Sequence, residues 1–300
     1  MKIDMKLTPE NLAKPLDRFF SLAAGKITRL HRAWDPAKGT PVFTVKGKYT
    51  TRGWTEWTQG FQYGCQILLF DATDDKTFLV LGRENTIRHM APHVSHTGVH
   101  DHGFNNVSTY GNLRRLLLEN RSADSQDALH FYELALKISG AVQASRWSRI
   151  KDGGFIHSFN GPHSLFSDTI RSCRALVMAD RLGHVLMGEN DRRIPLLERA
   201  MQHIEATLRY NVFYGEGRDR YDIPGRVAHE GLFNMNDGNY RCPSTQQGYS
   251  PFTTWTRGLA WIMLGCAEQL EFFKAIPGDA WKPFDSDGAF LKRLDRAARA

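Results

Sequence analysis

Ile194-Pro195-Leu196-Leu197-Glu198-Arg199-Ala200-Met201-Gln202-His203-Ile204-Glu205-Ala206-Thr207-Leu208 is the stretch on which the fold class turns. Ile194, Leu197, Met201, Ile204 and Leu208 recur at spacings of three and four, so an α-helix places them on one apolar stripe. Before it, Phe131, Leu134, Ala135, Ile138 and Val142 repeat the pattern. After it, Trp255, Leu259, Ile262, Cys266, Leu270 and Phe273 do the same. Further helices are expected over about 8–30, 57–71, 75–91, 104–120, 164–183 and 286–300, roughly nine in all. Strand signals are confined to 39–50 and about 219–236, where short hairpins are expected. With no Pro/Ser linker and no close repeat, residues 1–300 read as a single all-α domain of helix packed on helix.

Three hundred residues, 41% hydrophobic and 24% charged, fall in the range of ordinary folded chains. No apolar run approaches the ~20 residues of a membrane span, so no membrane partner is expected. The opening Met1-Lys2-Ile3-Asp4-Met5-Lys6-Leu7 is polar, which reads as cytoplasmic, or as periplasmic or secreted if a signal peptide has been removed. The net charge of +7 favours anionic partners. Arg114, Arg115 and Arg121 are interrupted by Leu116, Leu117 and Leu118, the pattern of an amphipathic helix. No nucleic-acid module accompanies them, and nucleic acid is not expected as a partner. Cys65, Cys173, Cys242 and Cys266 show no Cys-x-x-Cys spacing and read as reduced structural thiols.

The chemistry gathers in the connections. Gly53-Trp54-Thr55-Glu56-Trp57, Gly98 to Asn106, Gly153 to His163 and Asn234 to Thr254 are richer in Gly, Trp, His and Asn than the helices are. That places a site at one end of the helical layers. Ser164 reads as the N-cap of a helix over 164–183, with Asp168 one turn in, on the line through Leu165, Ser172 and Leu176. A carboxylate on such a half-apolar face has a raised pKa suited to proton donation; an aspartate there also complements a helix dipole. His93, His96, His100, Asp101 and His102 form a second cluster, open to three readings: a metal site, sugar-hydroxyl binding or plain loop histidines. No pair follows His-Glu-x-x-His spacing, and no metal or other cofactor is expected. Gln247 with Trp255, Arg257 and Trp261 combines flat aromatic faces with a planar fork suited to a carboxylate. Two core tryptophans beside a surface arginine give the same pattern.

Taken together, Trp57-Thr58-Gln59-Gly60-Phe61, His100-Asp101-His102-Gly103-Phe104, Ser167-Asp168-Thr169 and Thr254-Trp255-Thr256-Arg257-Gly258-Leu259-Ala260-Trp261 resemble, in order, the motifs of unsaturated glucuronyl hydrolases, the glycoside hydrolases of family 88. The resemblance spans about residues 50–275. It implies an (α/α)6 barrel of the six-hairpin glycosidase type, an inner ring of six helices inside an outer six. Against roughly nine predicted helices, that barrel is expected to be incomplete after Ala300. It implies hydrolysis of oligosaccharides that end in a Δ4,5-unsaturated uronic acid, so the expected partner is an anionic oligosaccharide. By position Asp168 matches the family's acid/base and Asp101 its partner carboxylate. His100, His229, Gln247 and Arg257 match polar substrate positions, and Trp57, Trp255 and Trp261 match aromatic ones. The chain departs from the pattern at Phe159-Asn160-Gly161-Pro162, where relatives carry Trp before Gly-Pro, and at Thr169-Ile170-Arg171-Ser172-Cys173. Three alternatives stay open: an unsaturated rhamnogalacturonyl hydrolase of the related family 105, an inverting glycosidase on the same barrel, and a non-catalytic sugar-binding protein.

Overall fold

The computed structural model of the chain describes residues 6–51 and 56–300, so Gly53-Trp54-Thr55 of the first connection lie outside the described residues. Thr8 opens α1 (Pro9–Ala33) with a capping box: its hydroxyl accepts from the Asn11 amide, and the Asn11 side chain accepts from the Thr8 N–H at 2.7 Å. β1 (Pro41–Val45) and β2 (Lys48–Thr51) form the expected hairpin. Lys46 and Gly47 close it at φ of 48° and 75°, the two positive angles that a turn matching the strand twist demands. α2 (Thr58–Thr73), α3 (Lys76–His89) and the short α4 (Ala91–Val94) follow, then a π-helix over Gly103–Gly111 that runs into α5 (Asn112–Leu118). α6 (Gln126–Ser145) leads to β3 (Trp147–Ile150), β4 (Gly153–Ile156) and β5 (Ser164–Phe166). Next come α7 (Thr169–Ser172), α8 (Arg174–Arg181), β6 (Leu186–Met187), β7 (Arg193–Ile194) and α9 (Leu196–Tyr210). β8 (Glu230–Phe233), β9 (Tyr240–Ser244), α10 (Thr256–Ala275) and α11 (Phe290–Arg299) complete the described chain.

The helices alternate between two layers. α2, the π-helix, α7 with α8, and α10 lie side by side, and α3, α6, α9 and α11 back them in turn. This is the α/α-barrel arrangement. Leu197, Met201, Ile204 and Leu208 of α9 are at most 3% exposed and pack with Leu176, Ile262, Phe273 and Phe290 in the larger core. Each such side chain contributes roughly 1.5–3 kcal/mol through removal from water. A second core joins Ile67, Phe70, Phe78, Leu113, Tyr132 and Leu136. Among the described residues no helix is long and apolar enough to cross a membrane.

The structure corrects several expectations. On α6, Phe131, Leu134 and Ile138 are exposed, whereas Tyr132, Leu136, Ser139, Gly140 and Gln143 face inward. Hydropathy selected the wrong stripe because the buried one carries small and hydrogen-bonding residues that meet α8 and the π-helix. Ser164 does not cap a helix. Ser164–Phe166 pairs with Glu230–Leu232 as a strand, so Asp168 precedes α7 rather than lying one turn inside it. The hairpin expected over 219–236 is β8 with β9, displaced toward the C-terminus, and the β3–β4 and β6–β7 hairpins were not anticipated. Arg114, Arg115 and Arg121 are paired with Glu133, Asp71, Glu119 and Asp74. All four cysteines are free; Cys173 and Cys266 are buried, and Cys65 and Cys242 are exposed.

Close approach of the layers rests on small residues. A Cβ added at Gly103 would lie 2.1 Å from the Ser172 carbonyl oxygen, a backbone atom with nowhere to go. Gly103→Ala is therefore expected to cost about 1–3 kcal/mol by overpacking. Denaturant melts of parent and variant measure this; superimposable curves would mean that the two backbones are free to separate.

Candidate active site

Four helices of one layer begin at the same place. Trp57, His102, Asp168 and Trp255 occupy the N-cap positions of α2, the π-helix, α7 and α10, and none makes a side-chain capping bond. The helix starts are tied together directly. The Gly60 N–H donates to Asn105 Oδ1 at 2.9 Å, Gly103 abuts Ser172, and a Cβ at Gly258 would sit 2.8 Å from Ser167 Oγ. Helix N-termini carry partial positive charge and unpaired N–H groups, so this end of the layer favours anions.

At its centre the His100 ring, 1% exposed, lies with Nε2 3.7 Å from Asp101 Oδ1 and 3.7 Å from Asp168 Oδ1. Phe159 stacks on the ring at 5.9 Å, and Phe166 meets it edge-on at 5.4 Å. The His100 carbonyl accepts from Gln143 Nε2 at 2.8 Å and Ser172 Oγ at 2.5 Å, which fixes the backbone that carries the ring. Burial pushes the Asp101 carboxyl up to about 6; His100 opposes this, and Asp168 and Glu56 add to it. Burial pushes Asp168 up as well, but the adjacent His100, with His229, outweighs it and holds Asp168 below its ordinary value. Burial lowers His100, and the two carboxylates more than reverse that, so its pKa is raised. The expectation that Asp168 carries the raised pKa is thus corrected: in the free site that proton belongs to Asp101. The reason is the strand ending at Phe166, which delivers Asp168 to two histidines instead of an apolar helix face.

His229, on the residue before β8, is 1% exposed and lies 4.4 Å from Phe166 and 4.1 Å from Trp255, ring to ring. Its Nδ1 accepts from the Gln246 N–H at 3.1 Å, and burial lowers its pKa. A neutral ring that accepts at Nδ1 must carry its hydrogen at Nε2. That Nε2 is buried without a hydrogen-bond partner, on a ring that senses the charge of Asp168. It is a donor set toward the carboxylate side of the site.

Arg257, exposed on the first turn of α10, lies 4.9 Å over Trp255 and 5.9 Å from Trp57, with its guanidinium bonded to Gln247 Oε1. Trp57, Phe61, Phe104 and Trp261 form an aromatic wall, with Trp261 stacked on Phe61 at 6.3 Å. Trp261 is one turn further along α10 than Arg257, beneath Arg171, and belongs to this wall.

Three chains of known structure share the arrangement. An unsaturated glucuronyl hydrolase specific for heparin superposes with a TM-score of 0.69 at 18% identity, over 94% of this chain and 66% of that one. The unsaturated glucuronyl hydrolase of Bacillus sp. GL1, responsible for glycosaminoglycan degradation, gives 0.64 at 19%, over 93% and 66%. That of Streptococcus agalactiae gives 0.63 at 20%, over 100% and 71%. The fold is that of the unsaturated glucuronyl hydrolases. This chain spans 66% of the length of the first two. No protein-family model matches its sequence, and no curated protein matches it.

The histidine cluster divides into separate tasks. His93 joins Gln59 and Asn105, His96 Nδ1 accepts from the Gly98 N–H, and His102 bonds Ser139 Oγ and the His96 carbonyl. Only His100 of the four enters the site. With Asp101 and Asp168 it presents donor atoms within 4.8 Å of one another, the one set among the described residues able to hold a metal ion. The sequence reading missed Phe166, Gln143, Arg146 and Glu230. Gln143 and Arg146 had left a signal, since both interrupt the apolar end of α6.

Proposed function

We propose that the protein is a hydrolase that removes a Δ4,5-unsaturated uronic acid from the end of an oligosaccharide. The observation that carries this reading is His100 set equally between two carboxylates, at the convergent starts of four helices and beside Arg257 and the tryptophans. Such a uronate contains a vinyl ether. A proton delivered to C4 leaves cationic charge on C5 and the ring oxygen, and water adds at C5. The ring then opens to a C5 ketone, C1 becomes a hemiacetal, and the rest of the oligosaccharide departs. We assign delivery of the proton, and its recovery from water, to Asp168, whose side chain is the more open of the two at 14% against 10%. Asp101 holds its proton near pH 6 and, once ionised, supports the cation. An arriving uronate carboxylate adds negative charge and raises the proton affinity of Asp168. The coupled pair titrates as one unit.

Lyase-digested polysaccharide tests the reading. Its enoate absorbance in the near ultraviolet should disappear on addition of enzyme. Release of reducing sugar from saturated oligosaccharides with that absorbance intact would establish a conventional glycosidase instead.

Arg257 is assigned to the substrate carboxylate, because a guanidinium can meet it with two parallel hydrogen bonds. Arg257→Lys keeps the charge and loses the fork, so KM should rise about tenfold, the equivalent of one charge-assisted hydrogen bond. Because Arg257 is exposed, KM in the parent should also rise with salt. A lowered melting temperature with KM unchanged across the salt series would make Arg257 a structural residue only.

A further inference from the structure

Two buried charges lie outside the proposed chemistry and grip the same loop. Arg146, 8% exposed at the end of α6, donates from Nε to the His157 carbonyl at 3.1 Å and from Nη2 to the Ser158 carbonyl at 2.6 Å. Its Nη1 donates to the Thr97 carbonyl, in the connection that carries His100. Glu230, 2% exposed on β8, accepts from Ser164 Oγ at 2.5 Å and from Asn160 Nδ2 at 3.0 Å. The loop between them is closed by the Ser158 N–H to the Ser164 carbonyl and by the paired Ser158 and Ser164 hydroxyls. At its tip Phe159, 52% exposed, lies flat over the His100 ring. Arg146 and Glu230 form no ion pair with each other or with any other described residue. A buried charge is costly unless its bonds are satisfied, so each is spent on holding backbone and side chains in one geometry.

We propose that Arg146 and Glu230 are positioning residues that clamp the 157–164 loop, with Arg146 also tying it to Thr97, so that Phe159 and the 97–101 backbone hold His100 between Asp101 and Asp168. The role of this geometry in turnover rests on the proposed function; the geometry itself does not. Arg146 also acts by charge, opposing the protonation of both His100 and Asp101. The other groups facing His100 are His157, His203 and His229, all shifted downward by burial, so the two aspartates and Arg146 dominate its titration.

Imidazole NMR of the full chain reads the clamp directly, since a phenyl ring stacked on His100 displaces its ring-proton signals upfield. Arg146→Gln should reduce that displacement, raise the pKa of His100, and lower kcat about tenfold with KM within twofold of the parent. Arg146→Lys should bring the pKa back toward the parent value while kcat stays low, because one ammonium cannot bond three carbonyls on two segments. Glu230→Gln, which leaves Arg146 in place, should reduce the ring displacement with the pKa little changed. Parent-like His100 signals and pKa in the folded Arg146 and Glu230 variants would overturn the proposal. A parent protein inactive on every lyase product would instead sink the proposed function, with the NMR outcome still deciding the clamp.

Discussion

Asp168→Asn should fold like the parent and lose about 10²–10⁴ of its turnover on any substrate the parent hydrates. An amide has the size and shape of the carboxyl but can neither deliver a proton to C4 nor take one from water. Its neighbours predict a second sign of the change. Asp168 is one of two carboxylates that hold the His100 pKa up against burial, so His100 should titrate lower in the variant. Turnover at the parent rate on an active substrate would remove Asp168 from the chemistry. A loss of turnover without the His100 shift would mean that the substitution had displaced the ring.

Asp101→Asn should give opposite effects on activity and stability. Activity should fall by about 10² or more, since the pair loses the group that supports the cation. Stability at neutral pH should rise. The Asp101 pKa moves from 3.8 to about 6 on folding, so its ionised form is disfavoured in the native state by roughly 3 kcal/mol. Below pH 4 the carboxyl is protonated in both states, and parent and variant should melt alike apart from the effect of the amide itself. As pH rises from 4 to 6 the parent loses stability that the uncharged variant keeps, and above 6 the gap is full. Thermal melts at pH 4 and pH 7.5 measure the difference. An identical offset at both values would mean that Asp101 ionises freely in the folded protein.

Much of this site was legible before the fold was known, for reasons that also explain the errors. Asp101, Asp168, Trp255 and Arg257 stand in short strings beside helix starts, where chain neighbours are also neighbours in space. His229 reaches the site through pairing: Ser167 N–H donates to the His229 carbonyl at 2.9 Å across 62 residues of chain, and no local periodicity reports such a contact. The α9 stripe was read correctly because its buried face is aliphatic. On α6 the inward residues are Ser139, Gly140 and Gln143, chosen for close approach and hydrogen bonding, so hydropathy pointed to Phe131 and Leu134 instead. The acidity of Asp168 could not be read from its neighbours in sequence, because the residues that set it, His100 and His229, come from two other connections.

The π-helix after His102 has one more consequence. Gly103–Gly111 winds wider than an α-helix, so it accommodates more residues per turn than its flanks. Its length acts as an angular setting: removing one residue from 104–110 would let the segment relax to ordinary winding. His100 and Asp101 would then swing by the ~100° that separates successive helical residues. They would point away from Asp168 while every side chain of the site remained present. In this stretch the spacing of the gene, more than the identity of any one codon, governs whether the two aspartates meet.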